Sequence, residues 1–457
     1  MIGIVLCSGY GKKIWPYSDW WQKCCIPIGN KPNIIRIIEQ LKKINLRKII
    51  VVTSYYSQMV KYCLKNIKGI NIFEEEKPEG TAKSLYKAVK NLNDDFLVIY
   101  GDTFVDDSSI LKIYNQFLKE KLPSVLTKHL KDNERSIDHI CAYVNNGEVR
   151  AIYGHPRSNY VNYKLANVFI INKELKKYLE INPGFMKNVC VGGMPPKESF
   201  LEQSIQMMIE DNKKVLACEV EGFLVDIDKP WHIMEANKIA IDEIFDRIDD
   251  SILNSKTSID PSAVISGKIY LGEKSKIGKN VIIKGDVWIG NNTLIDNGAI
   301  IEGKVVIGNN SRITDYCKIG PYSTIGNNNR IGFNAEFCGI TFDGVSIIHN
   351  SEMYGIIGSY TDIAAGCLTG SLRFDDLQTI HKINGRNELP NTYSNAVFIG
   401  DHTRTGVGNI FLPGVKVGIN CAIGPGAIIE EDIPSNSLII VKQEKVIKRW
   451  GPEKYGW

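Results

Sequence analysis

The chain has 457 residues, with 55 Lys+Arg against 51 Asp+Glu, 44% apolar residues and 23% charged residues. That length predicts two or three domains, and the composition excludes a disordered or collagen-like chain. A net charge of +4 gives no reason to expect nucleic acid or an anionic membrane as partner, and no apolar run approaches the ~18 residues of a membrane span. The 11 cysteines are odd in number and scattered, with no Cys-x-x-Cys pair. This argues against a disulfide framework or a structural zinc site, and for reduced thiols in a cytoplasmic protein. Met1–Leu6 is apolar but short and has no basic stretch before it, so it reads as a first strand and not as a signal peptide.

In chain order, Ile2–Leu6 reads as a strand, followed by a glycine loop and helical periodicity over Ile34–Leu46. Lys48–Thr53 is the next strand and Ser57–Asn66 the next helix. The helix Ala82–Leu92 precedes a third buried strand, Phe96–Tyr100. Strand–helix alternation through residues 1–235 predicts an α/β domain with a mostly parallel sheet, whose ligands bind beyond the carboxyl ends of the strands. Residues 236–256 read as a connecting helix, with Ile241, Ile244, Ile248 and Ile252 on one face.

From residue 257 to about 440 a different rule applies. Positions 259, 265, 271 and every sixth residue to 337 are all large and apolar, fourteen in a row. The following residue is often Gly, and the one four beyond is usually small or β-branched, as at Ser275, Thr293 and Ser311. A strict period of six does not suit an α-helix. It suits a β-solenoid with one hexapeptide per flat side and three sides per coil. Two segments, 338–356 and 368–398, break the register and are expected to project as loops. Residues 441–457 form a basic, aromatic tail that is expected to cap the solenoid's end.

The chemistry-bearing motifs of the first half lie at strand ends. Gly9, Gly11, Lys12 and Lys13 follow the first strand, where glycine N–H groups and lysines suit a phosphate. Lys23 comes ten residues after Lys13, and Gly80-Thr81-Ala82 opens a helix. Asp102, after Gly101, and Asp226 or Asp228 offer carboxylates for a divalent cation.

Taken in order, Gly9, Gly11, Pro16, Lys23, Gly80, Thr81, Ala82, Gly101, Asp102 and Asp226 resemble the motif series of the sugar-1-phosphate nucleotidyltransferases. With the solenoid behind them, the chain resembles the bifunctional N-acetylglucosamine-1-phosphate uridylyltransferase/glucosamine-1-phosphate acetyltransferase family, its archaeal type in particular. That resemblance implies a Rossmann-like domain followed by a left-handed parallel β-helix, assembled as a homotrimer that handles nucleotide and sugar phosphate. It implies Mg²⁺ on Asp102 and Asp226, with UTP, CTP or GTP as nucleotide substrate and acetyl-CoA as a second-domain substrate. Lys13 and Lys23 take catalytic positions, and Gly9, Gly11, Lys12, Glu75, Gly80, Thr81 and Gly101 bind nucleotide. Asn167 and Glu198 fall on the sugar side. His349 falls where the family has a general base, and Tyr354, Asp362, Ser371, Arg373, Lys382, Asn395 and Pro425 fall along the acyl-transfer loops. Arg404 and Lys416 are candidates for the phosphates of CoA.

The departures from the family are specific. Lys12-Lys13 replaces Thr-Arg and loses the guanidinium fork. Gly154-His155-Pro156 replaces Glu-Lys-Pro, and Phe169 falls where a glycine would leave room for the sugar. Glu75 replaces a base-reading Gln, and a carboxylate that only accepts hydrogen bonds favours an amino-bearing base over uracil. Ser371 and Asp362 each replace an Asn. Two rival readings follow: an acyltransferase whose first domain binds nucleotide without transferring it, and a non-catalytic regulatory or assembly paralogue.

Overall fold

The computed structural model describes residues 1–131, 134–189 and 197–451. The six residues Ile2–Cys7 (β1) are apolar except for Gly3 and all buried, as expected of a strand covered on both faces. The chain continues through helix α1 (Asn33–Lys42), β2 (Lys48–Thr53), α2 (Ser57–Leu64), β3 (Ile70–Glu74), α3 (Thr81–Val89) and β4 (Phe96–Tyr100). Then come β5 (Thr103–Val105), α4 (Asp107–Glu120), β6 (Ser124–His129), β7 (Ile140–Asn145), β8 (Glu148–Gly154) and β9 (Tyr163–Ile171). The domain closes with α5 (Leu175–Glu180), α6 (Leu201–Glu210), β10 (Leu216–Glu219), β11 (Leu224–Asp226) and α7 (Pro230–Phe245).

Nine of these strands form one sheet in the order β3-β2-β1-β4-β9-β6-β10-β8-β7. The expected parallel arrangement holds from β3 to β4. From β9 onward most neighbours run antiparallel, because β7 and β8 are joined as a hairpin and β9 returns directly beside β4. A separate β11–β5 pair sets Asp226 opposite Thr103, next to Asp102.

The connecting helix begins and ends earlier than its periodicity indicated. It runs Pro230–Phe245, with Pro230 at its start, where a missing N–H costs nothing. Ile248 is buried beside it, but Ile252 belongs to the first strand of the solenoid, paired with Tyr270, and is exposed.

In the solenoid, Leu271, Ile277 and each sixth residue to Phe337 are buried in one continuous stack. Ile259 and Ile265 belong to the first coil, are less covered, and end the stack. Two ladders run beside this core. Ser275, Thr293 and Ser311 pass buried hydroxyl hydrogen bonds from coil to coil. Asn291, Asn309, Asn327 and Asp343 each accept the N–H of the corresponding residue one coil earlier.

The first expected loop, 338–356, is not a loop. The coil there is two residues shorter: ladder partners 18 residues apart become partners 16 apart. Phe337 stacks on Met353, Ile331 on Ile347, and Ile347 on Ile363, so the core is unbroken. The second expected loop does project. It leaves after Thr369, carries a hairpin (His381–Ile383 with Arg386–Glu388), and rejoins the stack at Val397. Residues 441–450 of the tail are exposed, with Gln443 passing near Gly426 of the last coils; residues 452–457 lie outside the described residues.

The two halves share a core. Ile14, Tyr17, Ile26, Trp231 and Met234 pack with Ile340, Phe342, Ile356, Ile383 and Phe398 of the solenoid. The Tyr17 hydroxyl donates to the Ile356 carbonyl at 2.9 Å. Along the other side of α7, Ile241 and Phe245 lie with Val306 near Tyr270 and Trp288.

Candidate active site

Strand β1 delivers the glycine loop to the carboxyl edge of the sheet. Gly101 fits there because a Cβ on it would come within 2.5 Å of Cys7 Sγ and 2.8 Å of Cys24 Cβ. The loop is organised by Gln22, a buried residue that motif matching overlooked. Its amide donates to the carbonyls of Cys7 and Gly9, and its oxygen accepts the Cys24 N–H. Gly11 has a φ of 74° and lies over the alkyl chain of Lys23. Gly80 has a φ of 106°, and a Cβ there would sit 2.5 Å from the backbone of Ser199, so this glycine is required for chain packing.

A cleft of about 470 Å³ opens at this edge. Lys23 Nζ bridges Asp102 at 2.6 Å and Asp228 at 2.8 Å, and Lys13 Nζ reaches Asp228 at 3.1 Å. Burial works against the charge of Lys23, but Asp102, Asp228 and Asp226 hold its pKa well above the usual lysine value. Burial also works against ionised Asp228, yet Lys23, Lys13 and Lys229 keep its carboxyl well below the ordinary range. Asp226 differs: burial, then the charges of Asp102 and Asp228, push it up to about 7. Asp228 was one of two alternatives for the second ligand; its lysine contacts make it the anchor of the cationic side, and Asp226 the carboxylate short of positive charge.

Among the described residues no three His, Cys, Asp or Glu side chains converge as a metal site. Two hard carboxylates at Asp102 and Asp226 nevertheless fit Mg²⁺, which takes one or two protein oxygens and completes its shell with phosphates and water.

Thr81, Asn167 and Glu198 line the cleft. Asn167 adopts a left-handed φ of 54°, which Asn tolerates better than most residues. Glu202, missed in the sequence, is fully buried. It accepts the Tyr100 hydroxyl at 2.9 Å, and burial lifts its pKa to about 7. His139, His155 and His232 also line the cleft, and burial keeps all three below the ordinary histidine pKa. Their spacing in sequence carried no signal, because three separate segments bring them together.

Four expectations are corrected. Phe169 does not obstruct the sugar side: it is fully buried and packs on Tyr100 at 5.6 Å between ring centres. A β-bulge between Leu165 and Phe169 sets its side chain into the core. Glu75 does not line the cleft. It is buried, accepts the Ser84 hydroxyl and pairs with Lys87 at 3.3 Å, so its carboxylate is committed to α3. Lys382 and Asn395, expected along the acyl-transfer loops, belong to an excursion that returns to the first domain. Lys382 lies against the glycine loop, and Asn395 accepts the hydroxyl and N–H of Thr379. Lys416 is not a surface cation, being buried against Asp432 at 2.9 Å.

The remaining second-half residues stay on the solenoid's exterior. His349 is exposed at a coil corner and stacks on Phe333 at 4.5 Å. Tyr354 is half-buried, while Asp362, Ser371, Pro425 and Arg404 are exposed. Arg373 is also exposed and pairs with Asp375 at 2.7 Å.

A sheet edge bearing a glycine loop, bridging lysines and paired aspartates, joined to a solenoid of hexapeptides, defines a nucleotidyltransferase fused to a hexapeptide transferase domain. Residues 2–182 match the nucleotidyl transferase family, and residues 286–321 match the bacterial transferase hexapeptide (six repeats). The chain is similar to the bifunctional protein GlmU of Methanocaldococcus jannaschii, 30% identical over 453 residues, covering 98% of this chain and 100% of that one. It is also similar to the bifunctional sugar-1-phosphate nucleotidylyltransferase/acetyltransferase of Sulfurisphaera tokodaii, 28% identical over 449 residues, covering 95% and 98%. The chain belongs to this family of two-domain nucleotidyltransferase/acetyltransferase proteins.

Proposed function

We propose that this enzyme transfers a nucleotidyl group from a nucleoside triphosphate to a sugar 1-phosphate, releasing pyrophosphate. The observation that carries this reading is the cluster at the carboxyl edge of the sheet: Lys23 between Asp102 and Asp228, with Asp226 beside them. In the step itself, an oxygen of the sugar phosphate attacks the α-phosphorus and forms the new P–O bond. The bond to the β-phosphate breaks in line, and its electron pair leaves on pyrophosphate. Lys23 is held rigidly by two carboxylates and offers its charge at the α-phosphate. Lys13 and the glycine-loop N–H groups take the departing phosphates. Asp102 and Asp226 are the residues that would hold Mg²⁺, which would stabilise the developing negative charge. The chain's own contribution is positioning and fixed charge, with no covalent enzyme intermediate.

For the second domain the reading is acetyl transfer from acetyl-CoA to an amino sugar phosphate, within a cytoplasmic homotrimer built through the solenoid. It is supported by His349, whose ring is solvent-accessible at a corner of the stack instead of being part of the core. No helix among the described residues is long and apolar enough to cross a membrane, and the ten described cysteines are free thiols. Pyrophosphate release, measured with a panel of triphosphates against a panel of sugar 1-phosphates, tests the first reading. Thiol release from acetyl-CoA in wild type and His349→Ala tests the second, with a loss of roughly 10²–10⁴-fold expected in the variant. No thiol release with any acceptor would leave the solenoid an assembly platform.

A further inference from the structure

The excursion that leaves the solenoid after Thr369 turns back onto the first domain of its own chain. Its hairpin is fastened from both sides. Ile383 is buried in the shared core, and the His381 ring lies 4.8 Å from Trp231. His381 Nε2–H donates to the Ser394 carbonyl at 2.7 Å, and Lys416 Nζ donates to His381 Nδ1 at 3.2 Å. Glu388 pairs with Lys229 at 3.0 Å, and Thr392 donates to Glu235 at 2.7 Å. The hairpin therefore has a fixed position over the glycine loop.

Between hairpin and glycine loop lies a second cavity, of about 440 Å³, lined by Lys12, Lys13, Lys382 and Asn384. It meets the larger cleft at Lys13, which lines both. Its charge is lopsided. Lys416 is neutralised by Asp432, and Asp19, hydrogen-bonded by Trp15 and Ser435, is the one carboxylate in the lining. Neither Lys12 nor Lys382 pairs with a carboxylate among the described residues. Two lysines without a carboxylate partner, beside Lys13 and against the single carboxylate of Asp19, leave a net positive space that fits a polyanion.

We propose that the hairpin of the solenoid domain completes the nucleotide site of the first domain in the same chain, with Lys382 holding the terminal phosphates of the triphosphate. The identity of the ligand as a nucleotide rests on the nucleotidyl-transfer reading; the polyphosphate chemistry does not. Lys12-Lys13 at the glycine loop supplies point charges where a guanidinium fork would grip two oxygens at once. The hairpin adds the ammonium of Lys382 to the cavity that these two lysines line.

The test uses the full chain and inorganic tripolyphosphate, which has neither base nor sugar and needs no turnover. Titration calorimetry should show wild-type binding that weakens with added salt. Lys382→Ala should bind on the order of tenfold more weakly. Lys382→Arg should recover most of the loss, and Lys276→Ala, on a distant exposed strand, should bind as wild type does. In turnover assays Lys382→Ala should raise KM for the triphosphate and leave KM for the sugar phosphate unchanged. Equal tripolyphosphate affinity in wild type and Lys382→Ala would overturn the proposal, as would an absence of wild-type binding. Tripolyphosphate binding that depends on Lys382, in a protein that releases no pyrophosphate, would overturn the catalytic reading alone.

Discussion

The indole N–H of Trp21 donates to Asp401 Oδ1 at 2.9 Å, across 380 residues of chain. The same oxygen accepts the Ser359 N–H at 2.8 Å, which makes Asp401 one step of the ladder that Asn291, Asn309 and Asn327 occupy in earlier coils. The first domain thus attaches to the solenoid through the solenoid's own repeat.

Asp401 is fully buried, and burial raises its carboxyl from 3.8 to about 6 despite the Trp21 and Ser359 hydrogen bonds. A carboxyl raised on folding contributes stability that is present below the unfolded pKa and lost as pH rises through the folded one. Stability should therefore fall between about pH 4 and pH 6, by about 3 kcal/mol from this group. Asp401→Asn keeps an acceptor for both donors and cannot ionise. Chemical denaturation of the two proteins at pH 5 and pH 8 should show a smaller difference in the variant; equal differences would remove Asp401 as the source.

Asp102→Asn and Asp226→Asn should each lower pyrophosphate release on the order of 10²-fold or more, with unchanged circular dichroism. Each removes a carboxylate that lines the cleft and leaves the β11–β5 pairing intact. Undiminished turnover in both would detach these residues from the chemistry.

Gln22→Ala leaves the carbonyls of Cys7 and Gly9 and the N–H of Cys24 without their side-chain partner. Unsatisfied buried groups cost about 1–3 kcal/mol each. The variant should melt earlier, and the loosened glycine loop should raise KM for the triphosphate more than KM for the sugar phosphate. A normal triphosphate KM would show that the loop holds its shape without Gln22.

A fragment beginning near residue 254 retains the stacked coils but uncovers Ile340, Phe342, Ile356 and Phe398, which the first domain buries. It should bind a hydrophobic dye strongly and self-associate more than the full chain does in light scattering. Substituting Phe342 and Phe398 with polar residues in the fragment should reverse both effects. A fragment as soluble and dye-inert as the whole protein would mean the shared core is dispensable to the solenoid.

Lys48–Thr53 and Phe96–Tyr100 could be read from sequence to the residue, because buried parallel strands are short apolar runs between breakers. The stack from Leu271 to Phe337 was legible for a related reason: every sixth side chain has the same environment. The shortened coil at 338–356 was not, since a fixed period of six cannot register a coil two residues short, although Phe337, Met353 and Ile357 remain stacked. At the site, Lys23, Asp102 and Asp226 were legible as motifs. Gln22 and Glu202 were not, because their roles come from hydrogen bonds to groups distant in sequence or on the backbone. The hairpin's return to Lys229 and Trp231 is a long-range packing choice that local pattern does not encode.

A solenoid grows by whole coils, each adding about 4.8 Å along its axis, and so behaves as a ruler. Here the coils that hold the first domain, through Phe342, Ile356 and Phe398, adjoin the point at Thr369 where the hairpin leaves. Within that interval the ruler has no slack: one inserted coil would carry the hairpin about one strand spacing away from the glycine loop it faces. The constraint reaches past Phe411 as well, because Lys416 donates to His381 of the hairpin and Ser435 donates to Asp19 of the first domain, so a coil added before them would pull both contacts out of step.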